Sequence, residues 1–154
     1  MDADSIDVIA PGGELQSAVA IGAAYTERVT PDSLAKLLPP ADAATAGLIA
    51  NDWMRGDTLR AAFAPNPAAA QDTSAAAQVL ERIVAIGAPA QSMYRIRNEE
   101  RPDALLSISY LNANRIEVSF QTGVAQVVSA EGDVKGVYLQ PGQGRTPAAA
   151  PGRR

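Results

Sequence analysis

Residues that could perform acid–base or metal chemistry are scarce in this 154-residue sequence, which contains no histidine and no cysteine. The commonest general base, the commonest zinc ligand and all thiolate ligands are therefore missing. One adjacent pair of carboxylates stands out, Glu99 and Glu100 in the segment RNEERPD. Neighbouring residues in a strand or turn point apart, and this charged segment is typical of a solvated turn rather than of a catalytic pair. We therefore expect no enzymatic activity, no cofactor and no metal site.

Four arginines are candidates for binding an anion. They are Arg28, Arg95, Arg97 and Arg101. A guanidinium group can donate two parallel hydrogen bonds to a phosphate or a carboxylate, so these side chains could contact an anionic lipid headgroup. The alternative is an ordinary solvated rim. The formal net charge is −4 and residues of both signs are interspersed. Because no basic stripe is present, the sequence argues against nucleic acid as a partner.

Three segments of the chain are similar to one another, and a repeat of this kind decides the architecture of a protein. Each segment begins with a small polar residue and ends on a glycine. The pairs are Asp4 with Gly22, Asp57 with Gly87, and Asn114 with Gly132. The first and third segments share a further glycine between these ends, at Gly13 and Gly123. The second segment is longer because it contains the insert NPAAAQDTSAAAQ, at the point where the other two segments turn.

Polar and apolar residues alternate within each repeat, as they do in a strand with one buried face. A glycine late in a strand is typical of a bulge or of a close backbone approach. The pattern predicts an all-β protein of repeated antiparallel hairpins; the alternative is a plain meander with chance similarity. The residues that we assign to the apolar face are Ile6, Val8, Leu59, Phe63, Ile83, Ile108, Tyr110, Ile116, Val118, Phe120, Val128 and Val134.

The repeats fill one predicted domain over residues 1–141. Their approximate bounds are 4–29, 53–97 and 105–141. The linker over residues 30–50 contains an N-cap-like start and two successive prolines, a pattern compatible with a short helix at about residues 32–38. The last residues, 142–154, are rich in Pro, Gly, Ala and Arg and predict a disordered tail.

No stretch of the sequence approaches the ~18 apolar residues of a membrane-spanning helix. The first residues, MDADSIDVIAPGG, have neither the basic region nor the apolar region of a signal peptide. We expect either a cytoplasmic chain or a piece of a longer exported protein. The repeats favour the exported protein.

The chain resembles the organic-solvent-tolerance (OstA/LptA-like) family of lipopolysaccharide-transport proteins. The segments that carry the resemblance are DSIDVIAPGGELQSAVAIGAA, DWMRGDTLRAAF, VLERIVAIGAPAQSMYRI and YLNANRIEVSFQTGVAQVVSAEGDVKGVYLQP. They share an acidic residue or Asn, an alternating strand, a turn, and a second strand that ends in A-x-G-x-V/A. The resemblance covers most of residues 4–141 and implies an open β-jellyroll, with two antiparallel sheets in a V around an apolar groove. The sequence departs from simple members of the family in its irregular spacing and its alanine-rich interior.

The resemblance also implies a function. The chain would receive lipopolysaccharide or a related glycolipid in the periplasm or at the outer membrane, and would pass it along a bridge. Neighbouring jellyrolls of such a bridge join through exposed edge strands by main-chain pairing. The twelve apolar residues would line the groove, and the four arginines would contact the headgroup.

Two alternatives to lipid transport remain open at this point. A structural adaptor would pair its edge strands with neighbouring jellyrolls around a filled interior, and the small alanine side chains favour this slightly. A sugar-active enzyme would need carboxylates clustered in a cleft, and the sequence does not show such a cluster.

Overall fold

The computed structural model describes residues 1–29, 51–72, 75–96, 107–121 and 123–140. The predicted helix in the linker, the predicted tail, and Arg97 and Arg101 lie outside these residues. The seven strands are β1 (Ser5–Ile9), β2 (Ser17–Val29), β3 (Asn51–Pro65), β4 (Gln78–Ile96), β5 (Ser107–Gln121), β6 (Val124–Glu131) and β7 (Lys135–Leu139). The two short 3-10 helices are Pro11–Gly13 and Pro67–Ala70.

All seven strands belong to one sheet, which confirms the prediction of an all-β protein. Each strand from β1 to β5 pairs antiparallel with the next strand along the chain. Strand β5 also pairs with β7, so that β6 and β7 follow the same edge of β5 at residues 115–121 and 108–112. A single parallel bridge between β4 and β6 makes the sheet mixed.

That parallel bridge shows that the sheet folds back on itself. On β5, Ser107 lies opposite Ile96 of β4. Phe120 of the same strand lies opposite Ala125 of β6. Ser107 and Phe120 are 13 positions apart, so a straight strand would separate them by about 40 Å. Ile96 and Ala125 nevertheless pair with each other. The long strands must therefore bend in the middle, so that the two ends of the sheet face one another.

The bend divides the sheet into two halves. Half A contains residues 5–9, 17–21, 58–65, 78–86, 115–121 and 124–131, and half B contains residues 24–29, 51–55, 90–96, 107–113 and 135–139. We call the side of each half that is turned toward the other half its inner face. The two sheets expected from the sequence are thus the two halves of one continuous sheet, and β2 to β5 run through both.

Each bend joins the two ends of one sequence repeat. The adjacent pairs are Asp4 with Gly22, Asp57 with Gly87, and Asn114 with Gly132. The backbone N–H of Asn114 donates to the Gly132 carbonyl over 2.8 Å. A Cβ on Gly132 would lie 2.7 Å from the Asn114 side-chain nitrogen, and one on Gly87 would lie 2.8 Å from the Asp57 backbone nitrogen. At Gly87 the neighbouring backbone leaves no room for a side chain, whereas at Gly22 and Gly132 the space is taken by the side chains of Asp4 and Asn114.

Candidate functional site

The inner face of half A is apolar across six strands. Two rows of directly opposed residues cross it, Ile6–Ala20–Leu59–Ala85–Ile116–Ala130 and Val8–Ala18–Ala61–Ile83–Val118–Val128. Large and small side chains alternate along the first row, and the second row has two alanines in succession. Such variation in size is how facing layers interdigitate in a packed interior. Ala18, Ala20, Ala61, Ala85 and Ala130 are therefore part of the packing of this face.

Exposure changes strongly from the centre of this face to its edge. The side chains of Leu59, Ile116 and Val118 are 0% exposed, because half B covers them. At the edge strand β1, Ile6 is 45% exposed and Val8 is 58% exposed. Each lies opposite a buried alanine of β2, so both point to the inner side of the sheet. The apolar surface thus continues beyond the part that the protein itself covers.

The inner face of half B is more polar. Asp52, Ser92 and Ser109 are buried there, together with the ring of Tyr94. Asp52 accepts a hydrogen bond from Nε of Arg95 over 2.8 Å and another from the Arg95 backbone N–H over 3.0 Å. The Arg95 side chain is only 2% exposed, so this is a buried ion pair. A buried carboxylate needs such partners because it has lost its hydration.

Side chains of the two halves meet at their ends. The rings of Tyr94 in half B and Phe120 in half A lie edge to face, with centroids 5.7 Å apart. The guanidinium of Arg28 lies 5.5 Å from the centroid of the same Phe120 ring and donates a hydrogen bond to the Gly123 carbonyl. Burial, and secondly the charge of Asp52, raise the pKa of Tyr94 above its ordinary value of 10.0. The phenol is thus neutral in the folded protein at physiological pH.

Most of the twelve predicted groove residues share the inner face of half A. Leu59, Ile83, Ile116, Val118 and Phe120 are buried there. Phe63 and Val128 are half-buried against the same cluster. Together with Ile6 and Val8, they form the one surface on which the structure brings the predicted residues together.

Three of the predicted groove residues lie elsewhere. Ile108 and Tyr110 alternate with Ser109, which lies opposite the inward-facing Tyr94, so both point to the outer side of half B. Tyr110 contacts Trp53 on that side, with ring centroids 6.1 Å apart. The prediction carried one alternation through the whole strand, whereas the bend at Asn114 shifts the phase by one residue. The third residue, Val134, is 50% exposed between β6 and β7.

The two described headgroup candidates have contacts within the protein. Arg28 is held by Phe120 and Gly123, and Arg95 is held by Asp52. Sequence reasoning missed three other arginines, Arg60, Arg82 and Arg115, which lie together on the outer face of half A. The signal was available, because each alternates with inward residues of the predicted strands and must therefore face outward.

The described residues also limit the chemistry. No three acidic, His or Cys side chains within the described ranges are grouped closely enough to hold a metal ion. No helix in the same part of the chain is long and apolar enough to cross a membrane. No protein-family model and no curated protein matches the sequence.

Proposed function

We propose that the chain is an envelope lipid-binding module related to the organic-solvent-tolerance (LptA-like) proteins. It would hold an acyl chain of lipopolysaccharide or a related glycolipid against the inner face of half A, in the periplasm or at the outer membrane. The observation that carries the proposal is the apolar face that continues from the buried centre to the exposed Ile6 and Val8.

The energetics of such a contact are favourable. Each methylene that leaves water contributes about 0.8 kcal/mol, so a partly covered chain of about a dozen carbons binds without any polar contact. An acyl chain that lies along β1 would cover Ile6 and Val8, and would extend the row of buried side chains by one more layer. No rearrangement of the buried centre is needed for this.

The three pairs at the bends support the family relationship. The sequence resemblance rests on a polar residue at the start and a glycine at the end of each repeat. In the structure these residues are adjacent in all three repeats. A motif that recurs three times with one structural role is a more specific signal than any of its single copies.

A structural adaptor is the second candidate, and the packed centre favours it. Leu59, Ile116 and Val118 are fully covered by the protein itself, so the middle of the inner face offers no space to a ligand. Strands β1 and β7 end the strand order, and the far edge of each pairs with no described strand. Such edges can add a strand of a neighbouring jellyroll in either candidate function.

Native mass spectrometry of the protein after export to a bacterial envelope tests the lipid proposal. Two variants of the same edge strand form a matched pair, because Val8 and Ile9 are both 58% exposed. Val8 points to the inner face, and Ile9, one residue on, points to the outer face. We expect a retained glycolipid in the wild type and in Ile9→Asp, and its loss in Val8→Asp. A wild-type protein that retains no lipid and binds no fluorescent fatty acid would contradict the lipid proposal and favour the structural adaptor.

A further inference from the structure

A depression of about 320 Å³ lies on the outer face of half A, on the side of the sheet opposite to the proposed lipid contact. Its lining combines three arginines with an apolar floor. The principal lining residues are Arg60, Arg82, Arg115, Val19, Val84 and Ile86. Guanidinium groups around apolar side chains are the pattern expected for an anion that carries an apolar part.

The strand register explains why the arginines surround this floor. Arg60 of β3 lies directly opposite Val84 of β4. Arg82 precedes Val84 by two residues on the same strand and therefore stands on the same face. Arg115 of β5 lies opposite Ile86, which follows Val84 by two residues. Three adjacent strands thus contribute one cation each around Val84 and Ile86.

The charges around the depression are only partly neutralised. Glu117 pairs with Arg82 at 3.8 Å and with Arg115, and Glu131 lies 3.7 Å from Arg115. Arg60 forms no ion pair with any carboxylate among the described residues, and the residues directly opposite it on β2 and β4 are both valines. Of the three arginines, Arg60 is therefore the one whose charge no ion pair offsets in the described part of the chain.

We propose that this depression binds a phosphate monoester with a short apolar substituent. Arg60 and Arg82, which are diagonal neighbours on adjacent strands, donate hydrogen bonds to the phosphate oxygens. A phosphate monoester presents three oxygens and up to two negative charges to the two guanidinium groups, one oxygen and one charge more than a carboxylate. The substituent lies on Val84 and Ile86. The site is independent of the inner face and does not rest on the proposed lipid contact.

Isothermal titration of the full chain with inorganic phosphate and with hexyl phosphate tests the site. Hexyl phosphate is expected to bind about tenfold more tightly, because its chain removes apolar surface from water. Arg60→Gln should weaken hexyl phosphate binding by about tenfold or more, since it removes charge-assisted hydrogen bonds. Equal affinities of the wild type and Arg60→Gln for hexyl phosphate would contradict the proposal. Equal affinities of the wild type for inorganic phosphate and hexyl phosphate would show that the substituent does not contact Val84 and Ile86.

Two control variants make the result specific. Arg55→Gln removes an exposed arginine of half B, which hydrogen-bonds Gln91 far from the depression, and should leave the affinity unchanged. An equal loss in this variant would show general charge attraction and would overturn the site. Val8→Asp changes the inner face and should also leave phosphate binding intact, so this proposal and the lipid proposal can fail separately.

The phosphate monoester could be a free ester or part of a lipid headgroup. Flotation with phosphatidylcholine vesicles that contain phosphatidic acid separates the two sources. Arg60-dependent binding to hexyl phosphate without flotation identifies a free ester, and Arg60-dependent flotation identifies a headgroup. If Arg60→Gln binds hexyl phosphate and floats with the vesicles as the wild type does, the proposed site is wrong.

Discussion

The two halves of the sheet are built largely from the same strands, yet they bury different kinds of side chain. The inner face of half A presents two rows of apolar residues only. The inner face of half B buries Asp52, Ser92 and Ser109. Half A contributes apolar contacts alone, whereas half B adds hydrogen bonds and an ion pair to its own buried apolar residues, Met54, Ala90 and Ala113 among them.

The buried ion pair of half B holds β3 and β4 together within that half. Between the halves, Arg28 of half B donates a hydrogen bond to the Gly123 carbonyl next to half A. Apolar contacts thus close the sheet, and polar contacts order half B and one end of the closure.

Removal of the charge partner in half B should have the largest effect. Asp52→Ala removes the carboxylate that accepts from Nε and from the backbone N–H of the buried Arg95. Loss of one partner of a buried pair costs about 4 kcal/mol. Urea denaturation followed by circular dichroism measures this loss of stability. A free energy of unfolding within about 1 kcal/mol of the wild type would show that half B does not depend on the pair.

A cavity in half A should cost somewhat less. Leu59 is 0% exposed, and Leu59→Ala is expected to lower the free energy of unfolding by about 3 kcal/mol, through lost transfer energy and the cavity left behind. The same denaturation experiment applies. Thr58→Ala, one residue away on the outer face, is the control and should change stability little. Equal effects of the two substitutions would contradict the assignment of the faces.

A side chain at the bend tests the connection between the halves. Gly132 has φ +72°, and its added Cβ would also meet Asn114. Gly132→Ala should cost about 2 kcal/mol, from left-handed backbone strain and from this contact. Gly12 has φ +65° with no heavy atom within 4 Å of an added Cβ, so Gly12→Ala measures the strain alone. If the two variants have equal stability, the close approach at the bend contributes nothing.

The buried phenol of half B predicts a dependence on alkaline pH. The pKa of Tyr94 is raised in the folded protein, so above pH 10 the unfolded chain binds fewer protons at this residue than the native chain. Stability is therefore retained below pH 10 and falls above it, by up to ~1.4 kcal/mol per pH unit. Tyr94→Phe should flatten denaturation midpoints measured between about pH 9 and 11. Tyr25→Phe, at an exposed phenol, should flatten them much less.

The smallest expected effect has the opposite sign. Ser92 is 0% exposed, and its hydroxyl has no hydrogen-bond partner in the described part of the chain. Ser92→Ala removes an unsatisfied polar group and should stabilise the protein by about 0.5–1 kcal/mol. Thermal unfolding measures this change. A loss of stability in Ser92→Ala would mean that the Ser92 hydroxyl forms a hydrogen bond that stabilises half B.

The strands and the bends of the fold could be predicted from the sequence because each repeat begins and ends with the two residues that meet at a bend. The polar residue and the glycine of each repeat could be recognised from spacing alone, and they meet at the bends. The positions of Ile108 and Tyr110 could not be predicted, because the bend at Asn114 changes which residues of β5 face inward. A local shift of one residue reverses every later position of a strand.

For the candidate site, the face of a residue could be predicted from the sequence, but its burial could not. Leu59, Ile116 and Val118 could be assigned to one face from alternation. The sequence could not show that half B covers them while Ile6 and Val8 stay exposed, because coverage depends on how far the sheet folds over. Likewise, an arginine looks the same in sequence whether it is buried beside a carboxylate, as Arg95 is, or lies on a solvent-facing strand.

The pairing of strands in chain order has a consequence for how such a protein can change in length. Each hairpin contacts mainly the hairpins before and after it, and the sheet is open at β1 and β7. A duplicated hairpin could therefore be added at either edge without altering the pairing of the others, as units are added in repeat proteins. The bend would continue into the new strands if the duplicated segment kept its polar residue and its glycine. A family built on this plan can vary its number of repeats by gene duplication while its cross-section stays constant.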